Sequence, residues 1–358
     1  MKNQKVSLEF TNKLYNNPEN YIDKFDLVYA TDNILSIERQ RKEKDFIYLQ
    51  QGKTVTSNTT IERINALVIP PAWKKVRIAY ISNAHIQAIG RDRKGRKQYR
   101  YHSNWNKLRN RTKFYKMYAF GKSLPNLRER VNQDLKDTSW SKNKVLALII
   151  KLLEETHIRI GNSYYAKTNE TYGLSTLRSK HVNIYKDKLK FEFVGKRGKQ
   201  HSITLRNRKL VRLVEQCEEI PGWELFKFFD NDGNKMAVDS TMVNEYIHDI
   251  SGELFTAKDF RTWGASKICF ETLRSIGIEK KEDLAKKNIL SAIDVASKAL
   301  GNTRNVSRKY YVHPHIIESY LDSSIEPYFT ESQKINITGL AKTENSMLSL
   351  LSTYQPNI

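Results

Sequence analysis

Cysteine is nearly absent: Cys217 and Cys269 stand alone in 358 residues, with no C-x-x-C and no series of pairs. That excludes a disulfide framework and fits a reducing compartment, so a cytoplasmic location is expected. The eight histidines are scattered, so clustered ligands for a structural zinc are missing and no metal site is expected. Long apolar runs are missing too. The most apolar stretch, V-L-A-L-I-I-K-L-L at 145–153, is nine residues long and is broken by Lys151. A membrane span needs about 20. The N-terminal M-K-N-Q-K-V-S-L-E-F lacks the apolar core of a signal peptide. Acidic residues are in deficit, 39 Asp plus Glu against 61 Lys plus Arg, for a net charge of +22. Such a surplus asks for a polyanionic partner, with nucleic acid ahead of an anionic membrane surface.

The chemistry is narrowed by two further absences. No Walker A loop is present, which argues against an ATP-driven motor. No acidic cluster stands out as a holder of Mg²⁺, so a two-metal nuclease is not expected, nor is any cofactor.

What is present divides the chain in two. Up to about residue 105 the pattern is short and β-like, with F-I-Y-L (46–49), K-V-R-I-A-Y-I (75–81) and I-Q-A-I (86–89) between Gly, Asn and Pro punctuation. The stretch Ile69-Pro70-Pro71-Ala72-Trp73 is expected to be extended, because proline disfavours helix in the residue before it. From about 112, helical periodicity takes over. Val145, Leu146, Leu148, Ile149, Leu152 and Leu153 form an apolar stripe, with Gly161 as a C-cap candidate. Strand-like segments follow at 176–185, 189–194 and 200–205, the last two joined by G-K-R-G-K at hairpin length. Helices are expected again near 240–250, 257–274, 283–300 and 314–322, and Thr256 with Asp259 has the spacing of a capping box. The expectation is an α+β chain: a small β-rich DNA-binding domain over 1–105 and a larger, mainly helical domain over 106–358. The tail after about 330 is open between a terminal helix and irregular chain. Residues 91–130 hold 14 Lys or Arg and only two acids, with Tyr99, Tyr101, Trp105, Phe114, Tyr115 and Tyr118 interleaved. Cations that neutralise phosphates and rings that stack on bases point to nucleic acid.

Phosphodiester chemistry then remains possible as transesterification without metal. It needs a hydroxyl nucleophile, cations for the charge on phosphorus, and an acid for the leaving oxygen. A tyrosine phenol serves if cations favour the phenolate, and arginine suits phosphate by its planar fork. H-I-R-I-G-N offers Arg159, expected in the last turn of the long helix, and V-G-K-R-G-K offers Lys196 at a turn. T-A-K-D-F-R-T-W-G offers Lys258 and Arg261 on one face of a helix start, and L-G-N-T-R-N-V-S-R-K-Y-Y offers Asn302 with Tyr310 or Tyr311. Taken singly, each has a bland reading as a helix-end arginine, a solvated lysine or a core aromatic.

In order and spacing these stretches resemble the type IB DNA topoisomerases, the compact bacterial and poxvirus-like branch. The resemblance covers roughly residues 30 to 325. It also rests on A-L-V-I-P-P-A-W, H-I-Q-A-I-G-R-D-R-K-G-R-K-Q-Y-R-Y-H, M-Y-A-F-G-K-S-L-P, R-I-G-N-S-Y-Y-A and Y-G-L-S-T-L-R. It implies a catalytic domain of the tyrosine recombinase and topoisomerase IB type, carrying a small three-stranded antiparallel sheet. Tyr311 is implied as nucleophile, counted from Ser307 and from Asn302. Arg159 and Arg261 are implied on the scissile phosphate with Lys258 close by, and Lys196 as the general acid. Asn302 takes the place where the poxvirus-like pattern has His. Gln98, Tyr99, Tyr101 and Tyr165 are implied as DNA contacts. The implied reaction forms a 3′-phosphotyrosyl bond, lets the free end swivel and religates, relaxing supercoils of both signs without ATP or metal. The implied working form is a monomer clamped around double-stranded DNA, nucleoid-associated in a bacterium, a large-virus origin being an alternative. Tyrosine recombinases share the core chemistry, but their second arginine lies in H-x-x-R and their helix ends L-G-H, where this chain has Lys258-x-x-Arg261 and Leu300-Gly301-Asn302. A non-enzymatic architectural protein would explain the charge and leave the ordered Arg, Lys, Arg and Tyr set unexplained.

Overall fold

The structure is a computed structural model and describes residues 7–43, 45–230, 232–252, 254–330 and 335–356. The start of the N-terminal segment, residues 1–6, and tail residues 331–334 lie outside the described residues. The chain forms two compact units, 1–115 with 355–358, and 116–354.

The first unit opens with α1 (Leu8–Asn16), capped by the Ser7 hydroxyl, which accepts from the Phe10 N–H. Its sheet is built from β1 (Ile37–Lys42), β2 (Asp45–Gln50), β3 (Lys53–Thr54), then, after α2 (Asn58–Ala66), β4 (Lys74–Ile78), β5 (Ile86–Arg91) and β6 (Lys97–Tyr101). Every neighbouring pair is antiparallel, in the order β3-β2-β1-β4-β5-β6. Ile37, Ile64, Val76, Ile78 and Ala88 close one core against α2. The expected β segments at 46–49, 75–81 and 86–89 fall on β2, β4 and β5, though β4 stops at Ile78. β1, β6 and α2 escape the apolar pattern because they are largely exposed and charged.

α3 (Ser103–Asp134) starts well before 112, since Trp105, Leu108 and Thr112 are buried at helical spacing among basic residues. Further along the same helix, Met117, Phe120, Leu124, Leu127 and Val131 face the core of the second unit. There α4 (Lys142–Thr156) is buried almost all round, as its apolar composition dictates. It ends earlier than the sequence suggested: His157, at φ 53°, turns the chain and its N–H donates to the Leu153 carbonyl. Gly161 is therefore not the cap, and Arg159 sits beyond the helix in irregular chain rather than in its last turn.

α5 (Ser163–Asn169) precedes a three-stranded antiparallel sheet of β7 (Val182–Ile184), β8 (Leu189–Gly195) and β9 (Lys199–Leu205). The expected strand over 176–185 shrinks to β7, because 179–181 form a 3₁₀ turn in which the His181 ring accepts from the Arg178 N–H. α6 (Arg208–Glu218) was not anticipated, although Leu210, Val211, Val214 and Cys217 bury one face. β10 (Lys227–Phe229) and β11 (Lys235–Ala237) form a hairpin. The chain's one D-x-D spacing, Asp230 and Asp232, falls in that turn, where the Asp230 carboxylate accepts from the Asp232 and Asn234 N–H groups.

α7 (Ser240–Ser251), α8 (Ala257–Ile276), α9 (Glu282–Leu300), α10 (Arg304–Tyr310), α11 (Pro314–Leu321), α12 (Glu326–Phe329) and α13 (Lys342–Leu351) complete the unit. Asp259 closes the expected capping box on α8 and also meets buried Lys116 at 2.8 Å. The tail question is answered by α13, whose residues from Glu344 to Leu351 are all buried. Among the described residues no helix is long and apolar enough to cross a membrane, and no group of three or more His, Cys, Asp or Glu is placed to hold a metal ion.

Candidate active site

Four local devices bring the catalytic candidates together in the second unit. The segment after α4 is held by backbone bonds from Leu174 and Ser175 to the carbonyls of Arg159 and Ile160, at 2.8 and 2.7 Å. The β8–β9 hairpin puts Lys196 in its turn, with Arg197 at φ 67° completing the reversal. α8 carries Lys258 in its first turn, exposed, and Arg261 one turn on, 3% exposed. α9 ends at Gly301, and α10 then delivers Tyr311 at its C-terminal cap.

The side chains converge. Arg159, Lys196, Lys258, Asn302 and Tyr311 line one cleft of about 510 Å³. The Arg159 guanidinium donates to Asn302 Oδ1 at 2.6 Å. Arg261 donates through Nη2 to the Leu300 carbonyl at 2.9 Å and to the same Asn302 oxygen at 3.4 Å. Asn302 thus bridges the two arginines through its oxygen. Its Nδ2 is buried and has no hydrogen-bond partner among the described residues, and Arg261 Nε is in the same condition. Buried donors left unmatched cost free energy, which is what a site aimed at an anion would carry. The Arg261 guanidinium lies 5.2 Å from the Tyr311 ring centre.

The charges shape the titrations. Burial raises the Tyr311 phenol, but Arg261, Arg159 and Lys258 outweigh it and hold the pKa below the ordinary 10.0. Arg261 is drawn down to about 10, by burial first and then by Arg159. Lys196 is exposed by surface area, yet desolvation first and Arg159 second lower its ammonium below the usual lysine value. A cation-lined cleft beside an acidified phenol can stabilise a phosphorane and accept a phosphoryl group on tyrosine.

The two tyrosines of the doublet part company. Tyr310 is 42% exposed at the rim. Tyr311 is half-buried, and the backbone after it is held by Ser266 of α8, whose hydroxyl accepts from the His313 N–H at 3.0 Å and shares its one proton between the carbonyls of Thr262 at 2.8 Å and Tyr311 at 3.2 Å. Sequence reasoning missed Ser266, since only the packing of α8 on this segment reveals it.

The DNA-contact candidates are not all brought together. In the first unit Tyr99 and Tyr101 stack at 5.7 Å on one face of β6, each about two-fifths exposed. Gln98, one residue out of phase, points to the other face and donates to Asp92 at 3.0 Å. In the second unit Tyr165 is 45% exposed on α5, its ring edge-on to Tyr164 at 5.6 Å.

Known proteins give this architecture a family. Residues 102–336 match the family described as eukaryotic DNA topoisomerase I, catalytic core, and residues 45–92 match bacterial DNA topoisomerase IB, N-terminal domain. The DNA topoisomerase 1B of Acanthamoeba polyphaga mimivirus is 37% identical over 293 residues, covering 79% of this chain and 87% of that protein. The DNA topoisomerase 1B of vaccinia virus (strain Copenhagen) is 28% identical over 242 residues, covering 66% and 73%. A solved XerH site-specific recombinase bound to difH substrate is 17% identical over 52% of this chain and 48% of that one, and its TM-score of 0.30 is too low to bear on the family. With a family match across more than half of its length and a viral relative 37% identical over 79% of it, the chain belongs to the type IB DNA topoisomerases, isomerases that act on DNA, and the recombinase reading falls away.

Proposed function

We propose that Tyr311 is the nucleophile with which this enzyme relaxes supercoiled DNA. The phenolate oxygen attacks the scissile phosphorus, the P–O5′ bond breaks, and Lys196 gives its proton to the departing oxygen. Arg159 and Arg261 bind the nonbridging oxygens, Lys258 adds positive charge nearby, and Asn302 donates through Nδ2. The free 5′ end then swivels, and its hydroxyl reverses the attack, so the energy of the broken bond is kept in the phosphotyrosyl ester. The observation carrying this reading is the convergence of Tyr311, Arg159, Lys196 and Lys258 on one cleft, with the Arg261 guanidinium 5.2 Å from the Tyr311 ring centre and the phenol acidified.

We further infer that the β-rich N-terminal unit grips the duplex through Tyr99, Tyr101 and Gln98, and that Tyr165 adds a contact from the catalytic unit. The net charge of +22 supports DNA as the partner, and we infer a single chain clamped on it in the compartment that houses it, a nucleoid or its viral equivalent. Supercoiled plasmid should be relaxed in EDTA without ATP, and denaturant should trap a covalent protein–DNA adduct. Tyr311→Phe should abolish both and leave DNA binding within about twofold. Adducts that persist in Tyr311→Phe and vanish in Tyr310→Phe overturn the assignment.

A further inference from the structure

The hairpin that carries Lys196 and the helix end that carries Asn302 meet across one imidazole. His201 lies on β9 directly opposite Phe193, and the two rings stack at 5.0 Å with planes 14° apart. The stack fixes the ring's plane. Two glycines receive its edges. A Cβ built on Gly195 would lie 2.6 Å from His201 Cδ2, and one built on Gly301 would lie 2.6 Å from His201 Cε1. Real Cβ atoms essentially never approach another carbon that closely, so the ring is seated against both glycine backbones. Gly195 immediately precedes Lys196 and Gly301 immediately precedes Asn302. The ring also borders a small cavity of about 10 Å³ that Arg159, Lys196, Arg261 and Leu300 share.

We propose that His201 is a positioning residue: it is the spacer that sets the Lys196 turn at working distance from the Asn302 helix end. This rests on the reading of Lys196 as the acid for the leaving oxygen. Burial first, and then the charges of Arg159, Lys199 and Arg261, keep the ring uncharged, its pKa down at about 4. A neutral spacer adds no further like charge to the cations already gathered there. The two glycines have separate reasons. Gly301 stands at φ 62°, where the α9 cap requires a residue at ease with left-handed backbone. Gly195 is in extended backbone that any residue adopts, at φ −98° and ψ −167°. It is glycine because a methyl group would strike the imidazole.

That difference supplies the test. His201→Ala removes the spacer and should lower single-turnover cleavage of ordinary DNA by tens to about a hundredfold, the scale expected for an ångström of misplacement. Gly195→Ala should do the same from the other side by pushing the turn away. Combining the two should restore part of the loss, because the space left by the ring accommodates the methyl group. Where sulfur replaces the 5′ oxygen at the scissile bond, no acid is needed, so both single variants should cleave at close to the wild-type rate. Lys196→Ala is the control. Its rescue by sulfur with no rescue of His201→Ala would overturn the spacer role, and additive losses in the double variant would do so as well. Failure of sulfur to rescue Lys196→Ala would instead overturn the acid assignment, leaving the double-variant recovery to judge the spacer. Unfolding midpoints of all variants separate a lost fold from a misplaced lysine: a loss of cleavage that tracks the midpoint across both substrates counts against the proposal.

Discussion

Replacing Glu344 with glutamine tests whether the tail helix is part of the catalytic unit. Glu344 is 2% exposed near the start of α13, and it accepts from two nitrogens of Arg128 at 2.7 and 2.9 Å. It also accepts from the Trp263 indole at 3.1 Å and from the Ala341 N–H at 3.0 Å. Arg128 directs its other donors to Glu154 and to the Gly339 carbonyl, so the guanidinium is fully used. Burial alone would raise the carboxyl, but the hydrogen bonds and charge of Arg128, with Ala341 and Trp263, bring it from 4.5 down to about 2. Each tenfold change in proton affinity is worth about 1.4 kcal/mol, so the ionised form is favoured by about 3 kcal/mol on folding. The folded value lies below the unfolded one. The stabilisation is therefore complete above pH 4.5 and is lost as pH falls from there toward about 2. A second route agrees, since removing one partner of a buried ion pair costs about 3–5 kcal/mol. Glu344→Gln should lower the urea unfolding free energy of the full chain by about 3 kcal/mol at pH 7, with the gap to wild type narrowing at pH 3. A loss under about 0.5 kcal/mol at pH 7, the range of ordinary surface changes, would refute the reasoning, as would a gap that ignores pH.

Further expectations concern the cleft. Single-turnover cleavage should rise with pH as the Tyr311 phenol ionises and fall as Lys196 loses its proton, with both limbs below the ordinary 10.0 and 10.5. Lys196→Met should erase the falling limb, and its persistence would point to another acid. Asn302→Asp would put a carboxylate between Arg159 and Arg261 in place of the bridging amide. It should stabilise the fold by about 1–3 kcal/mol in thermal unfolding while lowering relaxation by a hundredfold or more, because the arginines then have an anion of their own. Retained activity would show that the arginines do not need to be open to phosphate.

The sequence was most legible where ordered motifs carry the family resemblance. The order Arg159, Lys196, Lys258, Arg261, Asn302, Tyr311 carries the family pattern, and the structure gathers all six in the second unit. Helices with apolar faces, such as α7, α8, α9 and α11, were readable within a few residues. Elements whose residues are mostly exposed or charged were not. β1, β6 and the start of α3 look like solvated basic chain because their apolar partners come from distant segments. The end of α4 was misplaced because His157 takes a left-handed turn that favours glycine. The partition of Gln98 from Tyr99 and Tyr101 follows from strand alternation once β6 is known, and its motif gave no hint that β6 was a strand. Ser266 and His201 were invisible for a different reason: each acts by touching backbone far away in sequence, which no local spacing records.

Among the described residues, those lining the cleft include no carboxylate, while Arg159, Lys196, Arg197, Lys199 and Lys258 all contribute positive charge. Like charges held this close repel one another, and the repulsion is a standing cost of the fold. On the proposed function a DNA backbone would cancel it, and substrate would act on this pocket as a counterion as much as a reactant. Nicked, intact and covalently attached strands all bring phosphates, and each therefore quiets the same repulsion. In the proposed reaction, phosphates flanking the scissile one would keep the pocket's charge matched while the strand breaks and reseals.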